Sequence, residues 1–407
     1  MLEQSGSSRQ IILDLSRLLS RVNHPTPTGV DRVEMAYARA LLKAVPHRLH
    51  FAAVHPFGYY GRLPNLAVER FIDRTEDRWA HQRETSKWEA RRFAVDSLLA
   101  MRPRGRVAVS QGERSVYLKA SPNTLARPDI IRSIVARERT RLVCLVHDLI
   151  PIEFPEYARP NGAAQHKIRV KTIMDHADGN IANSHATLNS LRPWLDRSQR
   201  APAAAVAHLG THFHVPPPVE QSQSGRPYFV CIGTIEPRKN HLLLLNIWRR
   251  MAEGRDSADM PKLVLIGRRG WENEQVVDML ERCPALKGCV EEQGRLTDRE
   301  MGLLLGGAWG LLMPSFAEGY GMPVAEALAL GVPVLCSDLP ALREAGGGVP
   351  EYLDPLDGPA WRHAIDELST SGSQQRRRQR ERLVDWHAPT WDEHIAIVLE
   401  MLHKLPA

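Results

Sequence analysis

The apolar positions of this chain follow two rhythms: short unbroken runs, and longer stretches in which they return every three or four residues. Unbroken runs suit strands buried on both faces, and the longer period suits helices with one apolar face, so their alternation predicts parallel α/β domains. In the first half, strands are predicted at residues 11–15, 50–54, 106–109, 142–146 and 179–182. Behind the first lies PTPTGVDRVEMAYARALL. It reads as a glycine turn at Gly29, capped by Thr28 or Asp31, and a helix with Val30, Val33, Tyr37 and Leu41 on one face. A second series predicts strands at 228–232 and 262–266, with helices over about 240–251 and from 272 onward. Thr297 and Glu300 have the spacing of a capping box for a further helix.

Between the two series, PPPVEQSQSGRP at 216–227 has no period and is rich in Pro, Ser and Gln, as a linker is. The expected organisation is therefore a domain over 1–215, the linker, a domain over 228–385, and a tail over 386–407 holding the amphipathic helix PTWDEHIAIVLEML. A chain of 407 residues is natural for two such cores.

The densest chemistry lies at 314–340, PSFAEGYGMPVAEALALGVPVLCSDLP. An apolar run enters a turn at Gly319, Tyr320 and Gly321. Pro323 marks a helix start, Gly331 its end, and a second apolar run follows. Backbone N–H groups from Gly319 to Met322, with a helix dipole behind them worth roughly 0.3–2 kcal/mol, make a site for an anion. Glu326 sits one turn into that helix. A carboxylate there repels bare phosphate and accepts hydrogen bonds from sugar or ribose hydroxyls, so the whole suits a nucleotide sugar.

Two further stretches end strands with polar chemistry. VCIGTIEPRKNHLLLL, residues 230–245, places Arg238 and Lys239 in a turn after a strand, at the edge where α/β sheets bind ligands. Each charge-assisted bond from that pair to a diphosphate is worth on the order of 1.5–3 kcal/mol. LVCLVHDLI, residues 142–150, ends a buried strand at His147 and Asp148; Asp148 either orients the imidazole or holds the loop. Ser184, in IANSHATLNSL, reads as a helix N-cap.

Glu318 and Glu326, with seven residues between them, and the wording AEGYGMPVAEALALGVPV resemble the signature of family 4 (group 1) glycosyltransferases. The resemblance implies a GT-B fold: two facing Rossmann-like domains about a central cleft, the acceptor mainly on the first and the donor mainly on the second, with a last helix crossing back onto the first. It implies that Glu318 and the turn of Gly319, Tyr320, Gly321 and Met322 hold the donor sugar and that Glu326 binds the ribose. It also implies that Gly233, Lys239 and Arg238 meet the leaving diphosphate, that Gly29 approaches the donor phosphate, and that His147 lies beside the donor sugar. Thr234 stands where most members carry an arginine after the glycine, and Arg238 adjoins the lysine instead.

The reaction implied is transfer of a hexose from a nucleotide diphosphate sugar to a saccharide hydroxyl with retention, by front-side attack and without a metal. IEPRKNH and PSFAEGYGMPVAEALA are similar to bacterial mannosyltransferases of polysaccharide assembly. That implies GDP-mannose as donor, with UDP-glucose and dTDP-rhamnose still open, and a lipid-linked oligosaccharide as acceptor, at the inner face of the cytoplasmic membrane. A GT-B sugar-nucleotide epimerase and a non-catalytic nucleotide-sugar-binding protein stay open as alternatives. An NAD dehydrogenase is disfavoured, because no GxGxxG follows the first strand.

Charge and cysteine usage add limits. The net charge of +6 and pI near 9.1 suit an anionic partner. No RNA or DNA module accompanies the charge, so nucleic acid is not expected. The arginines of residues 62–106, with Trp79, Trp88 and Phe93, read either as an amphipathic face for an anionic bilayer or as a solvated helix face. The five cysteines lack CxxC spacing and read as reduced thiols of a cytoplasmic chain, not as a zinc site. No leader pattern opens the chain. The longest apolar run, 302–313, falls short of the roughly 20 residues that span a bilayer.

Overall fold

The unbroken apolar runs form two sheets, and the periodic stretches form the helices that cover them. The computed structural model describes residues 9–24, 26–81, 86–102, 115–212, 226–253, 260–294, 296–370 and 372–406. It divides into two units: Met1–Glu153, Pro160–Leu209 and Thr390–Ala407 in the first, Phe154–Arg159 and Gly210–Pro389 in the second. Most of the linker and the strand expected at 106–109 lie outside the described residues.

The first unit holds β1 (Gln10–Asp14), β2 (Leu49–Val54), β3 (Tyr60–Leu63), β4 (Ser115–Lys119), β5 (Thr140–Val146), β6 (Gly179–Ala182) and β7 (Ala203–Val206). They lie side by side as β3-β2-β1-β4-β5-β6-β7, all parallel except β3, which returns antiparallel to β2. β3, β4 and β7 escaped the sequence reading. β3 and β7 are four-residue edge strands, too short to show a period.

The helix Trp391–Lys404 packs on the helix Gly29–Ala44 and on β6 and β7, and so belongs to the first unit although it ends the chain. His394 fastens it: Nε2 takes the Tyr37 hydroxyl proton at 2.6 Å and Nδ1–H donates to the His208 carbonyl at 2.9 Å. Burial pushes that imidazole down to about 4, so it stays neutral in these bonds.

In the second unit β8 (Tyr228–Ile232), β9 (Lys262–Ile266), β10 (Val290–Gln293), β11 (Gly310–Met313), β12 (Val334–Ser337) and β13 (Glu351–Leu353) run parallel in the order β10-β9-β8-β11-β12-β13. This is the doubly wound order, with its reversal between β8 and β11. Trp248 and Trp361 anchor the core beneath, each fully buried, with their indole N–H groups given to the carbonyls of Pro261 and Asp354 at 2.9 Å. Burial of a large apolar side chain contributes about 1.5–3 kcal/mol, and the satisfied N–H removes the offsetting penalty.

The basic stretch is not one surface face. Arg62 is buried in an ion pair with Glu138 at 2.8 Å, Arg78 donates to the Val22 carbonyl, and Trp79 is buried. Phe93 stacks on Phe71 beneath the guanidinium groups of Arg74 and Arg78. Residue type left open an amphipathic membrane face or a solvated helix face. Tertiary packing drew Arg62, Arg78 and Trp79 inward and left Trp88 exposed on the helix Lys87–Ala100. All five cysteines are unpaired thiols, four of them buried.

Candidate active site

β8 and β11 are neighbours, so the loops leaving their C-terminal ends must meet at the reversal point of the second sheet. The loop after β8 begins at Gly233, whose φ of +150° excludes most side chains; a Cβ there would also press to 3.1 Å from Lys239 Cε. Thr234 follows, half-buried, and the next residue ties this loop to the one after β9 through Ile235 N–H to Arg268 O at 2.9 Å. A single 3-10 turn, Pro237–Lys239, then carries the two cations.

The loop after β11 lies against that turn, with Phe316 N–H donating to Arg238 O at 2.8 Å. Glu318 thereby falls between the cations. Its Oε1 accepts from Lys239 Nζ at 2.5 Å and its Oε2 from Arg238 Nη1 at 2.9 Å. Arg238 Nε reaches a second carboxylate, Glu236 Oε1, at 2.7 Å. Burial alone would raise the Glu318 pKa; the charges and hydrogen bonds of Lys239 and Arg238 outweigh it and bring it to about 2. For Glu236 burial prevails over the same two cations and the pKa rises. Glu236 was missed in the sequence, since a lone glutamate before Pro-Arg-Lys carries no spacing signal.

Beyond Glu318, Gly319 is half-buried and the Tyr320 ring is 3% exposed, so that ring packs in the interior. Gly321 caps the helix Met322–Ala329 with φ +112°, and a Cβ on it would lie 2.6 Å from Leu342 Cδ2. Met322, not Pro323, is the first helical residue, because Gly321 in the left-handed region turns the chain one residue earlier. Glu326 is buried one turn in, its Oε1 3.3 Å from His212 Nδ1. His212 sits just before the linker, where the surrounding composition drew attention away from it.

In the first unit His147 follows β5. Its Nε2–H donates to the Ala120 carbonyl at 2.8 Å, which leaves Nδ1 as the acceptor, and its own carbonyl takes Asn183 Nδ2 at 2.8 Å. Burial lowers its pKa against the opposing pull of that bond and of Asp148, so the ring is neutral near pH 7. Asp148 holds the loop, accepting from Ile150 N–H at 3.2 Å. Gly29 is exposed at the first position of its helix, and both expected caps act: Thr28 and Asp31 form a reciprocal capping box. Asp31 is in turn paired with Arg17 at 2.6 Å and Arg21 at 3.3 Å. Ser184 caps its helix through Thr187 N–H at 2.9 Å.

Residues 226–371, which hold the whole cation and glutamate cluster, match the family described as Glycosyl transferases group 1. This stretch is a group 1 glycosyltransferase domain. The chain carrying that domain is 24% identical over 358 residues to the serotype-specific mannosyltransferase WbdA of Escherichia coli, covering 83% of this chain and 38% of WbdA. It is 35% identical over 130 residues to the Escherichia coli O-antigen chain mannosyltransferase B, covering 32% of this chain and 33% of that one. The chain thus spans well under half the length of these relatives. HepE of Anabaena, solved in complex with UDP, superposes with a TM-score of 0.61 at 15% identity, over 96% of this chain and 99% of HepE. The fold around the group 1 domain is GT-B. Among the described residues no helix is long and apolar enough to cross a membrane, and no group of three or more His, Cys, Asp or Glu is placed to hold a metal ion.

Proposed function

We propose that the chain transfers mannose from GDP-mannose to a saccharide hydroxyl, on a lipid-linked oligosaccharide at the inner face of the cytoplasmic membrane, with the anomeric configuration retained. The observation that carries this reading is the part-buried Lys239–Glu318–Arg238 cluster at the sheet reversal of a group 1 domain. The mannosyltransferase relatives support the choice of sugar.

On this reading the donor diphosphate takes over the Lys239 and Arg238 bonds that Glu318 holds in the free protein. Glu318 turns to the hydroxyls of the sugar. The acceptor hydroxyl attacks C1 as the bond from C1 to the β-phosphate oxygen breaks; its proton passes to that leaving oxygen, and the nucleoside diphosphate departs. Two preorganised cations stabilise the charge that develops there, so no metal is needed. Glu326 accepts the ribose hydroxyls, and Gly233 allows close approach of the phosphates.

A screen of GDP-mannose, UDP-glucose and dTDP-rhamnose for donor consumption, with and without mannose oligosaccharides, tests the reading. GDP-mannose consumption coupled to a lengthened α-linked product is expected. Isomerised nucleotide sugar without acceptor would mark an epimerase, and binding without turnover a non-catalytic protein.

A further inference from the structure

An unassigned feature of the first unit is a cavity of about 860 Å³ at the C-terminal ends of β1, β2 and β4. That volume is within the roughly 300–1,000 Å³ of ligand sites, and its place at strand ends is where open α/β sheets bind ligands. Its wall is chiefly aliphatic, built from Leu19, Val54, Leu98, Leu99 and Met101. Leu98 and Leu99 are 46% and 50% exposed, and Phe57 and Tyr59 on the adjoining β2–β3 turn are 81% and 76% exposed. Apolar surface is not left open in this concentration without a ligand or partner.

The polar Asn23, His55, Asn123 and Thr124 interrupt that wall, as do two cations, Arg102 and Arg127. Neither has a carboxylate partner among the described residues; Arg127 gives one N–H to the Pro56 carbonyl at 3.0 Å. A cavity with an aliphatic wall and two guanidinium groups at its rim is complementary to a hydrocarbon chain ending in a phosphate. The short helix Ser16–Ser20 runs between this cavity and the start of the helix at Gly29. It lends Ser16, Leu19 and Ser20 to the cavity, and Arg17 to Asp31 and Thr28 beside Gly29.

From this juxtaposition we infer that the cavity holds the hydrocarbon anchor and linking phosphate of a lipid-linked saccharide acceptor, which rests on the transferase reading above. Each methylene moved from water into the cavity strengthens binding roughly three- to fourfold. The anchor therefore lowers the acceptor KM.

The test uses the full chain and two readouts. By calorimetry without donor, decyl phosphate is expected to bind roughly a hundredfold or more tightly than butyl phosphate. The Leu98→Gln/Leu99→Gln variant, at positions already half exposed, is expected to abolish that preference, and Arg102→Gln to weaken decyl phosphate but not decanol. In transfer assays, mannose oligosaccharide on a decyl phosphate should show a KM at least about tenfold below the lipid-free sugar, and the double variant should erase the difference with donor hydrolysis unchanged.

Equal affinity for decyl and butyl phosphate, or a chain preference that survives the double variant, overturns the inference. So does failure to bind decyl phosphate together with sedimentation on phosphatidylglycerol vesicles that depends on Leu98 and Leu99, which would make this face a membrane contact. Loss of all donor hydrolysis in the wild type overturns the transferase reading instead, and calorimetry still decides the cavity.

Discussion

Lys239 Nζ stands 2.5 Å from Glu318 Oε1, a contact between loops 79 residues apart that leave adjacent strands. The pair makes the charge of one loop depend on the other. Glu318 stays ionised because Lys239 and Arg238 overcome its burial, and the cations are held in place by that carboxylate. Each partner is nearly buried, so removing one leaves the other partly uncompensated.

Lys239→Ala is expected to lower turnover by roughly 10²–10³-fold at saturating donor, the loss of one preorganised contact to the leaving group. Arg238 still neutralises Glu318 in this variant, so the fold should persist with a lowered Tm. Turnover near wild type would remove Lys239 from the leaving-group role.

Glu326→Ala should weaken binding of GDP alone, because its buried carboxylate is assigned to the ribose. Glu318→Ala should affect intact donor and turnover more than it affects GDP. Calorimetric titration of both variants with GDP and with a non-reactive donor analogue separates these effects; identical losses for both ligands would return the two glutamates to a purely structural role.

Glu34 predicts a pH dependence of stability. It is fully buried, its Oε1 accepts from Leu18 N–H at 2.9 Å, and burial with the nearby Asp14 charge raises its pKa from 4.5 to about 8 against the opposing Ser121 and Leu18 bonds and the Lys119 charge. With the folded value raised, its stability contribution is fully present below about 4.5 and is lost as pH climbs through 8. Glu34→Gln keeps the acceptor for Leu18 and does not ionise. It should flatten the fall in Tm over that window and stabilise the protein at pH 8 by on the order of a few kcal/mol. An unchanged profile would mean that Glu34 is ionised in the fold.

Transfer activity is expected to persist in excess EDTA, since Arg238 and Lys239 are proposed to meet the diphosphate. Complete loss restored by Mn²⁺ or Mg²⁺ would reject that role for the pair.

The strands and helices that carry the chemistry were legible because each has a local cause. The strand β5 is an unbroken apolar run, Thr297 and Glu300 close their capping box within one turn, and Ser184 caps from its own helix start. The edge strands β3, β10 and β13 were not legible, since three or four residues hold no period. Nor was the inward turn of Arg62 and Arg78, whose partners Glu138 and Val22 are distant in sequence.

By itself the sequence determined the two α/β series, the class of their longer segments, and where the candidate polar residues lie along the chain, because backbone preference and residue chemistry act over a few positions. Tertiary structure alone decided which of those residues touch. Glu318 binds Lys239 and Arg238 because β8 lies beside β11. His212 faces Glu326 though no local rule joins them, and helix Ser16–Ser20 joins the apolar cavity to Gly29. Strand order is set by how the apolar faces of the whole chain are buried together, and that is a property no short window of sequence contains.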